Sequence, residues 1–305
     1  MHDYMRAIGF SHEFSRDNFK RLLSKIVTEA DYRNATAAKN EVVQVEYRKF
    51  FGRDIGLIMR GTLEATAQGS EEIFADETIP FLRATTISST EKIVFRRKMD
   101  KESYIGVCDD YRLGMPLKFH LQNRNDYLSE MDDIENNPID ILHLSLSALS
   151  LDGMVMIPIE KNISDKEAEK KRNKRDRRMR MAHLGDERSK EDMVIEDMDT
   201  YTILCEKSKS EDVYSLVDSY FMPTEIECDE YAVLGEIKDV SEDINSITGE
   251  EVWIMDIVAN GLLFSVCIHK DDLLGEPEIG RRFKGTVWMQ GTAVWDDRPP
   301  EASDK

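Results

Sequence analysis

No stretch of this chain stays apolar for long. The longest runs, such as Leu262 to Ile268, fall far short of the roughly 20 residues that a membrane-spanning helix needs. A secretion signal is not expected either, because Arg6, Glu13, Arg16, Asp17, Lys20, Arg21 and Lys25 interrupt any apolar core near the start. Cysteine is scarce: Cys108, Cys205, Cys228 and Cys267 are scattered, with no C-x-x-C pair. That pattern speaks against a disulfide frame or a zinc knuckle and for free thiols in a reducing compartment. The expected location is therefore cytoplasmic, with no membrane contact.

Ligand-holding motifs are missing as well. None of the six histidines forms H-x-x-x-H or H-E-x-x-H, and none stands at ligand spacing from a cysteine. Asp197-Met198-Asp199 and Asp271-Asp272 lack the loop glycine and closing glutamate of a calcium hand. Nothing matches G-x-x-x-x-G-K-[ST] or G-x-G-x-x-G, so no phosphate cradle is expected. The sequence predicts neither a metal nor a cofactor.

What the 305 residues do hold is enough apolar surface for real cores, 41% hydrophobic and 8% aromatic, beneath a very polar exterior with 33% charged residues. At about one domain per 100–200 residues, more than one unit is expected. The net charge of −19 favours solubility and opposes a generic polyanion binder. The balance is uneven, because Lys170, Lys171, Arg172, Lys174, Arg175, Arg177, Arg178 and Arg180 face only Asp176 within their stretch.

Periodicity supplies the elements. Ser15 can cap a helix with Phe19, Leu22, Leu23, Ile26 and Val27 on one face and Asp17 in its first turn. Strand patterns follow at Val43, Val45 and Tyr47, at Ile55 to Met59, at Ile93 to Phe95, and at Leu117, Phe119 and Leu121; a short helix fits Asp126 to Ile134. Leu142, Leu144, Leu146 and Ala148 alternate up to Asp152-Gly153, which suits a type I′ turn into a returning strand at Met154 to Ile159. From Asn162 to Asp192 the chain is nearly pure charge. Helices are expected around Met193, Ile195, Met198, Tyr201 and Leu204, and after Ser210 through Val213, Leu216, Val217 and Tyr220, stopped by Pro223.

The C-terminal part is the most legible. Asn260-Gly261 is a strong hairpin signal. Pairing outward from it sets Ala259 opposite Leu262, Ile257 opposite Phe264, Met255 opposite Val266 and Trp253 opposite Ile268 on one apolar face. A slip of one residue would turn that face to water, so the register is well specified. Flanking strands at Tyr231 to Ile237, Phe283 to Trp288 and Ala293 to Trp295 suggest a small barrel or sandwich, with Gly285 and Gly291 at bends or bulges. The expected fold class is α+β: a mostly antiparallel domain over 1–160, a charged helical connector over 161–223, a small β-barrel-like domain over 224–297, and a tail over 298–305.

Four stretches carry a resemblance: ESYIGVCDDYRLGMPLKFHLQN (Glu102 to Asn123), EDMDTY (Glu196 to Tyr201), VYSLVDSYFMP (Val213 to Pro223) and GEPEIGRRFKGTVWMQG (Gly275 to Gly291). They resemble segments of an uncharacterised bacterial domain-of-unknown-function family of Gram-positive anaerobes. The resemblance runs over most of the chain. It implies a full-length cytosolic protein without an assigned activity, and no catalytic residues carry over from it.

Three constellations are candidate sites. The eight cations of 170–180 have the density to neutralise nucleic-acid phosphates, but no aromatic residue in the run offers base stacking. The bland alternative is a solvated helix balanced by Asp165, Glu167 and Glu169 before it and Asp186, Glu187, Glu191 and Asp192 after it, and a third reading docks the run onto the protein's own acidic surface. Cys108, beside Asp109 and Asp110 and with His120 as a base, is the nucleophile-like group, although the carboxylates would raise the thiol pKa. Trp288 and Trp295, of opposite strand parity, are candidates to flank a ligand groove. The leading expectation is a non-enzymatic interaction or regulatory protein with a protein partner. The alternatives are an RNA- or ribosome-associated factor using the basic run and a thiol enzyme centred on Cys108.

Overall fold

The computed structural model describes residues 3–11, 16–37, 43–65, 71–97, 103–132, 141–159, 165–195, 198, 213–225 and 228–295, and it is a β-rich α+β structure. A 3₁₀ turn (Asp3–Ile8) leads to α1 (Arg16–Thr28). Then come β1 (Tyr32–Ala37), β2 (Val43–Phe50), β3 (Ile55–Ala65) and β4 (Glu71–Leu82), an antiparallel sheet in sequence order. Next are β5 (Ile93–Arg97), β6 (Tyr104–Cys108), β7 (Leu117–Leu121), α2 (Arg124–Asp132) and β8 (His143–Met156). The charged region holds α3 (Asp165–His183), α4 (187–195) and a single turn, α5 (Val213–Leu216). The chain continues through β9 (Tyr220–Pro223), β10 (Glu230–Ile244), β11 (Glu251–Ala259), β12 (Leu262–His269), β13 (Leu273–Leu274) and β14 (Arg282–Val294).

The hairpin at Asn260-Gly261 has the expected register, from Ala259↔Leu262 to Trp253↔Ile268, and both turn residues have positive φ. The second expected hairpin does not form. β8 runs straight through Asp152-Gly153, because β14 pairs antiparallel with it from Val294↔His143 to Arg282↔Met156. Thirteen ladder pairs outweigh one local turn preference, and an irregularity at Thr286/Val287 absorbs the mismatch beside Gly285. The helix expected after Ser210 lasts only from Val213 to Leu216, and Ser210 itself lies outside the described residues. Tyr220 to Pro223 is extended instead and pairs with Leu234 to Tyr231. A proline without an N–H is tolerated there because β9 is an outer strand. Of the helix expected around 193–204, residues up to 195 are helical and most of the rest lies outside the described residues.

The strands expected in two separate units share one sheet. β8 pairs with β12, β12 with β11, β11 with β10, β10 with β14, and β14 returns to β8, so five strands close a hydrogen-bonded circuit. The 224–297 segment supplies four of them; the fifth comes from the first 160 residues, and β7, β6 and β5 extend the sheet beyond β14. One core fills the circuit, with Leu146, Val233, Met255, Ile257, Phe264, Val266 and Phe283 among its buried residues. A second core lies between the four-stranded sheet and the circuit's other face. There Ile8, Leu22, Ile26, Ile58 and Phe81 meet Leu149, Val252, Ile254 and Trp288. Strands β1 and β4, which the sequence reading missed, frame this second layer. Their many polar and acidic residues hid them, a composition suited to edge strands.

Phe119 of β7 needs two glycines. A Cβ on Gly106 of β6 would stand 2.0 Å from its ring, and one on Gly291 of β14 would stand 2.5 Å from it. Gly106→Ala should therefore destabilise the protein by about 1–3 kcal/mol, the usual range for overpacking. Phe119→Leu should recover part of that loss in the double variant, which a double-mutant cycle from urea unfolding measures.

Candidate functional site

Sequence reasoning paired Cys108 with His120, and the structure separates them. On the β6–β7 ladder Cys108 stands opposite Leu117 and His120 opposite Ile105, at opposite ends of the pair. The Cys108 thiol is fully buried and donates to Ser89 Oγ at 3.7 Å. Burial, more than Asp110, pushes its pKa up to about 11. That is the reverse of an activated nucleophile. Asp110 is instead an anchor: it takes a hydrogen bond from Ser89 and two from the Arg112 guanidinium, which also reaches Ser88 O at 2.7 Å and Gly261 O at 2.9 Å. Burial alone would raise the Asp110 pKa, but these bonds hold it below the usual carboxylate range. The acidic turn thus pins the Asn260-Gly261 hairpin to the loop before β5.

His120 belongs to a buried charge network that the sequence reading did not find. Register places Glu46 of β2 opposite Arg60 of β3, and both are fully buried. Arg60 Nε donates to Glu46 at 2.8 Å, its Nη2 donates to Leu121 O and Gln122 O, and its Nη1 lies 3.4 Å from His120 Nε2. Glu46 also accepts two bonds from Arg48, which reaches Asp126 at 3.4 Å. Asp126, in the first turn of α2, accepts from Tyr32 and from Asn34. Burial would raise the Glu46 pKa, but Arg48 and Arg60 reverse this and hold it below the usual range. The chain ties the four-stranded sheet to β7 and α2. In sequence β2 reads as alternating with polar residues and β3 as an apolar run that ends before Arg60; only the register shows that Glu46 and Arg60 face each other.

The tryptophans do not flank one groove. Trp288 is buried against Tyr4 (centroids 5.3 Å) and His120 (5.4 Å), and its Nε1 donates to Asp229 at 3.1 Å. It joins the second core, whereas Trp295 packs against the first core beside Tyr127. The opposite parity of the two is real, and its effect is to divide them between two cores.

The basic run lies on α3, where Lys170, Lys174, Arg175, Arg177 and Arg180 are exposed and Arg178 is half-buried. The side chains of Lys171 and Arg172 lie outside the described set. A Schellman turn ends the helix: Gly185, at φ 96°, donates to Ala182 O, and Asp186 N donates to Met181 O. Asp186 then caps α4 by accepting from Ser189 N and Oγ, and these bonds lower its pKa. Arg178 lies 3.9 Å from Asp192, so the two helices fold back on each other. Among the described residues, the end of α3 meets the body where His183 lies 3.6 Å from Asp109 and the Arg180 guanidinium lies over the Tyr111 ring at 5.9 Å.

Among the described residues, no group of three or more His, Cys, Asp or Glu side chains comes together to hold a metal ion, and no helix is long and apolar enough to cross a membrane. A family model described as "Domain of unknown function, E. rectale Gene description (DUF3881)" matches residues 5–291. No curated protein and no solved structure matches the chain.

Glu46→Gln should cost roughly 3–5 kcal/mol, the range for breaking a buried ion pair from one side. Because the folded pKa of Glu46 is depressed, its contribution is complete above the unfolded carboxyl value of about 4.3. That contribution fades as pH falls through the folded value. The stability gap between wild type and Glu46→Gln should therefore be flat above about pH 5 and narrow in more acidic urea titrations. Thiol labelling gives a second check. Hydrogen bonds from Thr224 and from nearby backbone groups outweigh modest burial and lower the pKa of the half-exposed Cys228, whereas burial raises that of Cys267 as it does that of Cys108. Iodoacetamide at neutral pH should modify Cys228 well before Cys108 and Cys267, as read by peptide mass mapping.

Proposed function

The chain belongs to the domain-of-unknown-function family named for E. rectale, and on that premise we propose that it is a non-enzymatic interaction protein whose contact element is the helical arm α3–α4. The observation that carries this reading is the make-up of the arm. Exposed cations of 170–180 stand beside exposed Met181, Leu184, Val194 and Ile195. A surface that is both basic and apolar suits an acidic protein partner with apolar side chains of its own. Two features support the scaffold role of the rest. The closed circuit of β8, β12, β11, β10 and β14, filled with apolar side chains, is read here as a small barrel that presents the arm. The free thiols of Cys108, Cys228 and Cys267 suit a reducing cytoplasm.

The exposed cations also favour a second reading, an RNA- or ribosome-associated factor that grips phosphates without reading bases. Affinity purification of the tagged protein from its own cytosol, with and without RNase, separates the two. The protein-partner reading expects a nuclease-resistant partner whose capture falls at least tenfold when Leu184→Ser and Ile195→Ser are combined. Capture of nucleic acid that vanishes with RNase, and with Lys170→Ala, Lys174→Ala and Arg177→Ala combined, would give the arm to RNA instead. A partner retained by both arm variants would remove the arm from the function.

A further inference from the structure

The outer face of the circuit meets the β2–β3 turn and the residues that follow β4 at a polar groove. Arg53, Asp54, Arg83 and Thr85 form one wall, and Asp239, Ser241, Ile254, Asp256 and Ser265 form the other. About 70 Å³ of it is open to the centre of a water molecule. We propose that this groove binds a small zwitterion of the α-amino-acid type, with its carboxylate on the arginines and its ammonium between Asp239 and Asp256.

The carboxylate pair is what calls for a cation. β10 carries a bulge between Ile237 and Asp239, and after it Asp239 pairs directly with Asp256 of β11. Like charges directly opposite each other destabilise a sheet. Without the extra residue, Lys238 would fall opposite Asp256 and make an ordinary cross-strand ion pair. The bulge sends Lys238 to Glu236 instead, at 2.6 Å, and sets two carboxylates side by side. It is held open by backbone bonds, Ile237 N to Arg281 O and Gly280 N to Ile237 O. Asp256 accepts from the buried Ser265 hydroxyl at 2.6 Å, while Asp239 makes no hydrogen bond or ion pair among the described residues. With no third ligand of the metal-binding kind brought together there, a hydrogen-bonding ammonium matches this wall better than a bare metal ion.

The facing wall is cationic and pre-oriented. Asp54 accepts from Arg53 Nε at 2.9 Å and from Arg83 Nε and Nη2 at 3.0 and 2.7 Å. Arg53 Nη2 donates to Ser241 Oγ at 2.9 Å, which bridges the two walls. Asp243 takes the backbone N–H groups of Arg53 and Asp54, so the turn itself is fixed to β10. Nη1 of Arg53 and Nη1 of Arg83 make no hydrogen bond among the described residues, which leaves donors for a carboxylate. Each wall alone would take a simple anion or a simple cation; the pair selects a molecule carrying both charges.

The test is isothermal titration and thermal unfolding of the full chain with glycine, L-alanine and L-serine, against acetate and methylammonium at equal ionic strength. The amino acids should bind and raise Tm at millimolar concentration, with neither half-ligand reaching a tenth of their affinity. Asp239→Asn should raise the Tm of the free protein, since it relieves the like-charge contact, and abolish the amino-acid response. Arg53→Gln should weaken binding at least tenfold. Acetate or methylammonium binding as tightly as the amino acids, no heat with any amino acid, or a lower free-protein Tm for Asp239→Asn would each overturn the proposal.

Discussion

The antiparallel ladder between β8 and β14 decides where everything else lies. It joins residues 143–156 to residues 282–294, positions separated by the whole charged region, and each strand has a second neighbour. β8 also takes β12 in parallel, and β14 also takes β10, so the ladder is the seam that closes the strand circuit. With the seam in place the circuit has no free edge along those stretches, and apolar side chains from both halves of the chain share one interior. Such pairing is non-local, and its loop closure must be met before the contacts reward it.

Around that seam the polar interior is organised by charge. Arg60 is a large, fully buried cation, and it survives there because Glu46, two backbone carbonyls and His120 surround it. An ion pair of this kind adds little net stability compared with an apolar pair of the same shape, but leaving either half alone is costly. In the observed arrangement the four-stranded sheet docks on β7 and α2 with Glu46, Arg48, Arg60 and Asp126 all paired. Trp288 closes the same region from the other side, with Tyr4 stacked on one side and Asp229 on its N–H.

These two devices also explain what the sequence could show. The β11–β12 register was readable because its turn, its alternation and its apolar face all agree. Asp152-Gly153 misled because a two-residue turn signal competes with a partner strand 130 residues away, and nothing local reports that partner. The same blindness split one sheet into two expected units. Cys108 and His120 are close in sequence and lie on paired strands, yet a difference of three register positions separates them. The charge network and the groove were invisible for a related reason: Glu46 with Arg60, and Asp239 with Asp256, become pairs only when strand register, and in the second case a bulge, is known.

The place of the arm follows from the same architecture. α3 and α4 lie between β8 and β9, and none of their described side chains belongs to either core. Their composition was therefore free to diverge from that of the body, and it did: the stretch 170–180 is +7 within a chain of net −19, so the remainder carries −26. A body that acidic repels polyanions at long range and attracts its own basic helix. At the C-terminal end of α3, His183 stands beside Asp109 and the Arg180 guanidinium lies over the Tyr111 ring. Arg178 is turned toward Asp192 of α4, so part of the positive charge is already met within the arm. A partner of the proposed kind would meet an arm in which Arg178 already has a carboxylate neighbour, Asp192. On the reading proposed above, a partner that also covers the exposed Leu184 and Ile195 gains apolar burial in addition to charge.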